Sequence, residues 1–118
     1  MTGRRLKIVG ARQLAPGESR TFEFERDGEA LPGFVLCHEA GLFAYLNRCP
    51  HWAVDLDMGD ERFYASDIDR IYCKNHGALF RVTDGVCDWG PCLGKALYAF
   101  QLTLEGDDAW ISEPEAAP

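Results

Sequence analysis

The stretch from residue 47 to residue 92 decides how this chain folds. It reads Asn47-Arg48-Cys49-Pro50-His51-Trp52 at its start, Cys73-Lys74-Asn75-His76-Gly77-Ala78-Leu79-Phe80 in its middle and Cys87-Asp88-Trp89-Gly90-Pro91-Cys92 at its end. Two Cys-His pairs are separated by the 21 residues between His51 and Cys73. Two thiolates and two imidazoles on two short loops indicate a metal site by residue type and by spacing.

The identity of the metal depends on more than the ligands. Thiolate suits zinc and iron–sulfur clusters, and imidazole suits zinc and iron. The four side chains could therefore hold structural zinc, or a two-iron cluster in which two histidines replace two cysteines on one iron. The surroundings favour the cluster, because the ligands lie inside a domain large enough to fold without metal, in loops rich in Gly, Pro and aromatic residues.

Length and composition predict one globular domain. The 118 residues are 47% hydrophobic and 26% charged, as in an ordinary domain, which we place at 1–118 with a cluster-binding region at about 48–93. No apolar run approaches the roughly 20 residues of a membrane span, and the basic N-terminus lacks the apolar core of a signal peptide. We therefore expect a cytoplasmic protein. The net charge of −7 argues against nucleic acid or anionic membrane as partner, and a basic protein surface would suit it.

The hydrophobic pattern predicts short strands throughout. Strict alternation at 20–26, with Phe22 and Phe24 on one side, indicates a half-buried strand. Further strands are predicted at 5–14, 33–38, 42–47, 70–72, 78–82, 95–104 and 108–112, the second and third of these forming a hairpin. The acidic stretch 53–69 has an irregular pattern and is interpreted as a solvated hairpin, with partner docking as the alternative. Because no helical period extends over three turns, the pattern predicts an antiparallel sandwich or small barrel.

The arrangement Cys49-x-His51, Cys73-x-x-His76-Gly77-Ala78-x-Phe80 and Gly90-Pro91-Cys92 resembles the Rieske family of two-iron, two-sulfide proteins. It is most similar to the small Rieske-type ferredoxins. The resemblance implies an all-β, Rieske-like fold with one [2Fe-2S] cluster per chain, held between two metal loops and covered by the Gly90-Pro91 loop. It implies that Cys49 and Cys73 bind one iron, and that His51 and His76 bind the other at the surface where electrons leave.

The function that this resemblance implies is one-electron transfer. The chain would carry electrons from a reductase to an oxygenase or similar acceptor, as a component of an oxidoreductase system and not as a catalyst alone. Two alternatives are a small Rieske subunit of a nitrite-reductase-type enzyme and a structural zinc module.

One departure from the respiratory and photosynthetic members bears on the reduction potential. Those proteins carry Ser and Tyr where this chain has Ala78 and Phe80, and a disulfide joins their two metal loops. Neither loop here has a spare cysteine beside its ligand. Because fewer hydrogen bonds to sulfur stabilise the reduced cluster less, we predict a low potential for a Rieske centre, of order −150 mV.

The remaining cysteines and histidine have simpler interpretations. Cys87 and Cys92 are expected to be free thiols near the cluster, with a disulfide as the alternative. Cys37 alternates with an apolar neighbour in a predicted strand and is expected to be a buried hydrophobe. His38 ends that strand and is expected to lie at the surface or to cap the chain, and Trp110 in the last strand is expected in the core.

Overall fold

The chain is an antiparallel β-protein. The structure is a computed structural model that describes residues 5–50, 55–75 and 77–113. Within these ranges a 3-10 turn covers Ala11–Gln13, and the strands are β1 (Arg5–Ile8), β2 (Ser19–Arg26), β3 (Glu29–His38), β4 (Gly41–Leu46), β5 (Tyr64–Ala65), β6 (Arg70–Tyr72), β7 (Leu79–Phe80), β8 (Cys87–Trp89), β9 (Gln101–Glu105) and β10 (Asp108–Ser112). No helix in the described residues is long and apolar enough to span a membrane. The predicted all-β antiparallel class is confirmed.

Three sheets share two hydrophobic cores. Their strand orders are β1-β10-β9, β2-β3-β4 and β5-β6-β7-β8. On β3, Phe34 belongs to a core with Ile71 and Phe80, whereas its neighbour Val35 belongs to a core with Ile111. Successive strand residues point to opposite faces, so the β2-β3-β4 sheet lies in the middle and packs on each side. The core shared with β5-β6-β7-β8 is the one that contains Cys49 and Cys73.

The two hairpins of the middle sheet follow their turn residues. Arg26 pairs with Glu29, so Asp27-Gly28 is a two-residue loop, and both have positive φ, 50° and 81°. That is the geometry of a type I′ turn, which suits the twist of a hairpin. In the next hairpin His38 pairs with Gly41, which confirms the predicted pairing of these two strands. Phe22 and Phe24 are both buried, as the alternation predicts.

Three predicted strands were too long. The first ends at Ile8, because Gly10 takes a left-handed φ of 71° and a 3-10 turn follows. The predicted strand 95–104 begins only at Gln101, since Leu97 enters one core and Phe100 the other. Alternation there reflects a chain that passes between two cores and makes only isolated bridges. The predicted strand 78–82 is reduced to β7 by a register shift at Leu79/Phe80.

Two strands were missed. β8 occupies Cys87–Trp89, the last residue of which was expected in a loop, and β5 lies inside the segment expected to be irregular. They have three and two residues. A period of two cannot be read from so few positions, so only pairing in the folded sheet defines them.

Of three predictions for single side chains, one is confirmed and two are wrong. His38 does cap the chain, because its Nδ1 accepts a hydrogen bond from the N–H of Ala40 at 3.1 Å. The prediction of a buried Cys37 was wrong: it is half-buried near the end of β3. The prediction of a core Trp110 was also wrong, since its half-buried ring lies under the guanidinium of Arg5, 4.3 Å from the ring centroid. Trp110 lies on the face of β10 opposite the buried Ala109 and Ile111, so cationic side chains and not a core cover its ring.

Candidate metal centre

Two of the four predicted ligands are placed together by the fold. Cys49 follows β4 and is 2% exposed, and Cys73 follows β6 and is 0% exposed. Both are reduced and belong to the same hydrophobic cluster. The other two predicted ligands, His51 and His76, lie outside the described residues. Within the described ranges no three His, Cys, Asp or Glu side chains come together as a metal site.

The second metal loop is a tight turn closed by its own backbone. Gly77 donates its N–H to the carbonyl of Cys73 at 2.7 Å, and Cys73 donates its N–H to the carbonyl of Ala78 at 2.9 Å. Gly77 has φ +74°, a left-handed conformation that glycine adopts without steric strain. The turn therefore fixes the backbone of Cys73 while β6 and β7 continue on either side.

The described part of the acidic segment lies between the two metal loops. The N–H of Leu56 donates to Oδ1 of Asn47 at 2.8 Å, and the carbonyl of Leu56 accepts from the N–H of Lys74 at 2.9 Å. Leu56 is 0% exposed and Asp57 is 3% exposed, so the interpretation of this segment as solvated was wrong for these residues. Sequence reasoning missed Asn47 and Asp57. The only available signal was an amide immediately before a metal loop.

The covering loop presses on the second metal loop. Gly90 has φ +108°, and a Cβ built there would lie 2.8 Å from Cα of Ala78. The loop is held by hydrogen bonds from the N–H of Leu93 to the carbonyl of Gly90, 3.2 Å, and from the N–H of Gly94 to the carbonyl of Cys87, 3.0 Å. Only a residue without a side chain allows this approach. Gly90 of the covering loop therefore packs directly against Ala78, beside the second metal loop.

Cys87 in β8 and Cys92 after the Gly90-Pro91 turn are a buried pair of thiols that flank the covering loop. Each is 1% exposed and free, with the two Sγ atoms 3.3 Å apart. Burial, followed by the hydrogen bond to Cys87, raises the pKa of Cys92 to about 12. Neither cysteine forms a disulfide, which agrees with the prediction of free thiols.

The surroundings of Cys49 and Cys73 fit a two-iron cluster. The neighbouring residues of the same core, Ile71, Ala78 and Phe80, are all 0% exposed and carry no hydroxyl. Two buried thiols in an apolar setting match the soft-ligand half of a mixed Cys and His donor set. The chemistry of these donors therefore fits the cluster, and the two thiols are shielded from water.

Comparison with known proteins gives concordant results. The model of the Rieske [2Fe-2S] domain matches residues 4–104. The ferredoxin of carbazole 1,9a-dioxygenase from Nocardioides aromaticivorans IC177 is 25% identical over 93% of this chain and 98% of that chain, with a TM-score of 0.69. A chain in a complex of reduced oxygenase and oxidized ferredoxin in carbazole 1,9a-dioxygenase is also 25% identical, over 95% of this chain and 96% of that chain, with a TM-score of 0.72.

A more distant likeness concerns the fold alone. The terminal oxygenase of carbazole 1,9a-dioxygenase from Novosphingobium sp. KA1 is 15% identical, with 99% of this chain matching 32% of that chain and a TM-score of 0.75. The comparison with curated proteins gives no significant match. The family model spans most of the chain, and the architecture agrees with it. The chain therefore belongs to the Rieske [2Fe-2S] domain family, and it carries one two-iron, two-sulfide cluster with which it transfers single electrons between redox proteins.

Proposed function

We propose that Cys49 and Cys73 bind one iron of the cluster and that His51 and His76 bind the other. The observation that carries this assignment is the burial of the two reduced cysteines in one core, at the ends of β4 and β6. When bound, the cluster supplies one-electron oxidation and reduction. The chain holds it, excludes water from its thiolate side and presents a surface to partners.

The apolar surroundings support a low reduction potential. Ala78 and Phe80 are fully buried beside Cys73 and offer no hydroxyl to a sulfur atom. Each hydrogen bond to sulfur favours the reduced, more negative state, so their absence at these two positions favours the oxidised state. The chain would then deliver electrons to acceptors of higher potential.

The partner that fits best is an oxygenase, with a reductase as electron donor. The likeness to a carbazole dioxygenase ferredoxin runs over nearly the whole of both chains, which favours a separate carrier over a fixed nitrite-reductase-type subunit. The net charge of −7 suits docking on a basic surface. We also propose that the chain acts as one domain and that it works in the cytoplasm.

The ligand assignment is tested by spectroscopy on anaerobically purified protein. Iron and sulfide analysis should give about two of each per chain, and the dithionite-reduced protein should give the EPR signal of a mixed-ligand two-iron cluster. Cys49→Ser, Cys73→Ser, His51→Ala and His76→Ala should each abolish or alter that signal. Cys37→Ser, which changes a half-buried cysteine on β3, is the matched control and should leave it unchanged. A colourless protein with one zinc would overturn the assignment.

The partner assignment is tested by the salt dependence of electron transfer. The reduced protein is mixed with a Rieske-type oxygenase that has a basic surface, and the rate is followed by the bleaching or recovery of visible absorbance. Because attraction between exposed charges is screened above about 0.1 M salt, the rate constant should fall as salt is raised. A rate that does not change with salt would contradict docking through the acidic charge.

A further inference from the structure

Two polar side chains are buried in the described part of the chain, Asn47 at 6% exposure and Asp57 at 3%. Neither belongs to the proposed ligand set. Burial of an amide and a carboxylate is unfavourable unless each is hydrogen-bonded, so their partners show what the pair is fixing in place. Asn47 lies two residues before Cys49, and Asp57 lies in the acidic segment that follows the first metal loop.

The pair forms one continuous hydrogen-bonded chain. Oδ1 of Asn47 accepts from the N–H of Leu56 at 2.8 Å, and Nδ2 of Asn47 donates to Oδ1 of Asp57 at 3.2 Å. The second oxygen of Asp57, Oδ2, accepts from the N–H of Glu61 at 2.9 Å. The N–H groups of Leu56 and Glu61 each meet a side-chain oxygen, and the bond between the two side chains runs from the amide of Asn47 to the carboxylate of Asp57. The first metal loop is thereby joined to residues 55–61.

The same segment is joined to the second metal loop on its other side. The N–H of Lys74, the residue after Cys73, donates to the carbonyl of Leu56 at 2.9 Å. Nδ2 of Asn75 donates to the carbonyl of Asp55 at 2.6 Å, and Nζ of Lys74 is paired with Asp60. A single residue, Leu56, therefore lies between the two loops, with its N–H bonded to Asn47 and its carbonyl bonded to Lys74.

We propose that Asn47 and residues 55–61 act as a bracket that sets the separation of the two metal loops, and that Asn47 and Asp57 are positioning residues for the cluster. The inference rests on the proposed ligands Cys49 and Cys73, since these are the residues whose loops the bracket joins. Metal ligands must be held within a few tenths of an ångström, and partners beyond the ligands commonly supply that precision. The bracket connects the loops without any covalent bond between them.

The donor and acceptor pattern gives the bracket a specific test. Asp57→Asn leaves two amides that must each turn an oxygen toward a backbone N–H, so their NH₂ groups face each other. Asn47→Asp leaves two buried carboxylates whose remaining oxygens face each other. The exchange Asn47→Asp with Asp57→Asn restores every hydrogen bond, because Nδ2 of the new amide donates to the new carboxylate while both backbone donors keep an acceptor. The exchange also keeps the net charge.

The experiment compares the wild type, the two single variants and the exchange variant, all loaded with cluster. The rate of iron release to a ferrous-iron chelator and the line widths of the low-temperature EPR signal are measured. An unpartnered or repelled buried group loosens the bracket, so each single variant should release iron about 5- to 100-fold faster and give a broader signal. The exchange should return both quantities to near wild type, since contacting residues couple strongly. Asp67→Asn, which removes an exposed carboxylate from the same acidic stretch, is the charge control and should behave as wild type.

The outcomes separate the bracket from the ligand assignment. Identical iron release and line widths in all of the loaded proteins would overturn the bracket and leave the proposed function intact, as would an exchange variant that is no better than the worse single variant. A wild type that holds no two-iron cluster would overturn the proposed function and the bracket together. If the buried variants fail to fold, Asn75→Ala tests the exposed arm, where loss of one hydrogen bond should speed iron release by about two- to ten-fold. An unchanged rate there would overturn the bracket.

Discussion

The contact between Gly90 and Ala78 makes a sharp prediction for the covering loop. Gly90→Ala would place a Cβ 2.8 Å from Cα of Ala78, at a backbone φ of +108°. A non-glycine residue in such a conformation costs about 1–3 kcal/mol, and overpacking against a fixed neighbour costs about 1–3 kcal/mol more. Gly94→Ala is the matched control, because Gly94 has φ +87° in the same loop and nothing lies within 4 Å of its Cβ position.

The difference between the two variants isolates the contact. Both share the backbone strain and the reduced freedom of the unfolded chain, so Gly90→Ala should be the less stable by about 1–3 kcal/mol. Urea unfolding of the loaded proteins, followed anaerobically by circular dichroism and visible absorbance, should show a midpoint lower by roughly 1–2 M. Adding Ala78→Gly should not rescue the variant, because the nearest atom is the Cα. Equal midpoints for the two alanine variants would refute the reasoning.

Three further predictions concern stability, potential and pH. Tyr45→Phe removes the O–H that donates to the buried carbonyl of Val82 at 2.6 Å, and it should lower the free energy of unfolding by about 1–3 kcal/mol. Burial raises the pKa of Tyr45 to about 12, so the stability that this hydroxyl contributes is full below pH 10 and is lost as the pH rises through 12. Urea titrations in which Tyr45→Phe is as stable as the wild type would contradict this. Redox titration should place the potential near −150 mV, with Ala78→Ser and Phe80→Tyr shifting it upward, whereas a wild-type value above about +100 mV would exclude the argument. Hydrogen bonds first from Tyr64 and then from His38 lower the pKa of Asp69. The stability that this carboxylate contributes is therefore present above its ordinary pKa of 3.8 and is lost as the pH falls through its lower pKa in the folded protein. Asp69→Asn should thus reduce the fall in urea midpoint on acidification, and an unchanged fall would count against the argument.

Several elements of the fold followed from local pattern alone. The alternation around Phe22 and Phe24 predicted β2, and the two runs around residues 33–38 and 42–47 predicted the β3–β4 hairpin. The Asp27-Gly28 turn needs positive φ at both positions, and Asp-Gly is one of the residue pairs that favour such a turn. These features depend on residues within a few positions of each other, so a period and a turn residue are enough to find them.

Other features depended on which surface each residue meets. Cys37 and Trp110 have the composition of core residues, but they are half-buried because their faces meet the end of a sheet and a pair of cationic side chains. Residues 95–100 alternate like a strand, yet Leu97 and Phe100 enter different cores. Hydrophobicity predicts that the burial of a residue is favourable, but it does not predict which neighbouring residues will cover it.

The sequence by itself predicted the kind of centre, because the resemblance to the Rieske family rests on residue types and spacing within short loops, among them Cys49, His51, Cys73 and His76. Only the tertiary structure decided how those loops are held. The hydrogen bonds of Leu56 to Asn47 and Lys74, and the contact of Gly90 with Ala78, join residues far apart in the chain. Ligand chemistry is written in residue type and spacing, whereas the distance between two loops is fixed by packing and hydrogen bonds that exist only once the sheets have assembled.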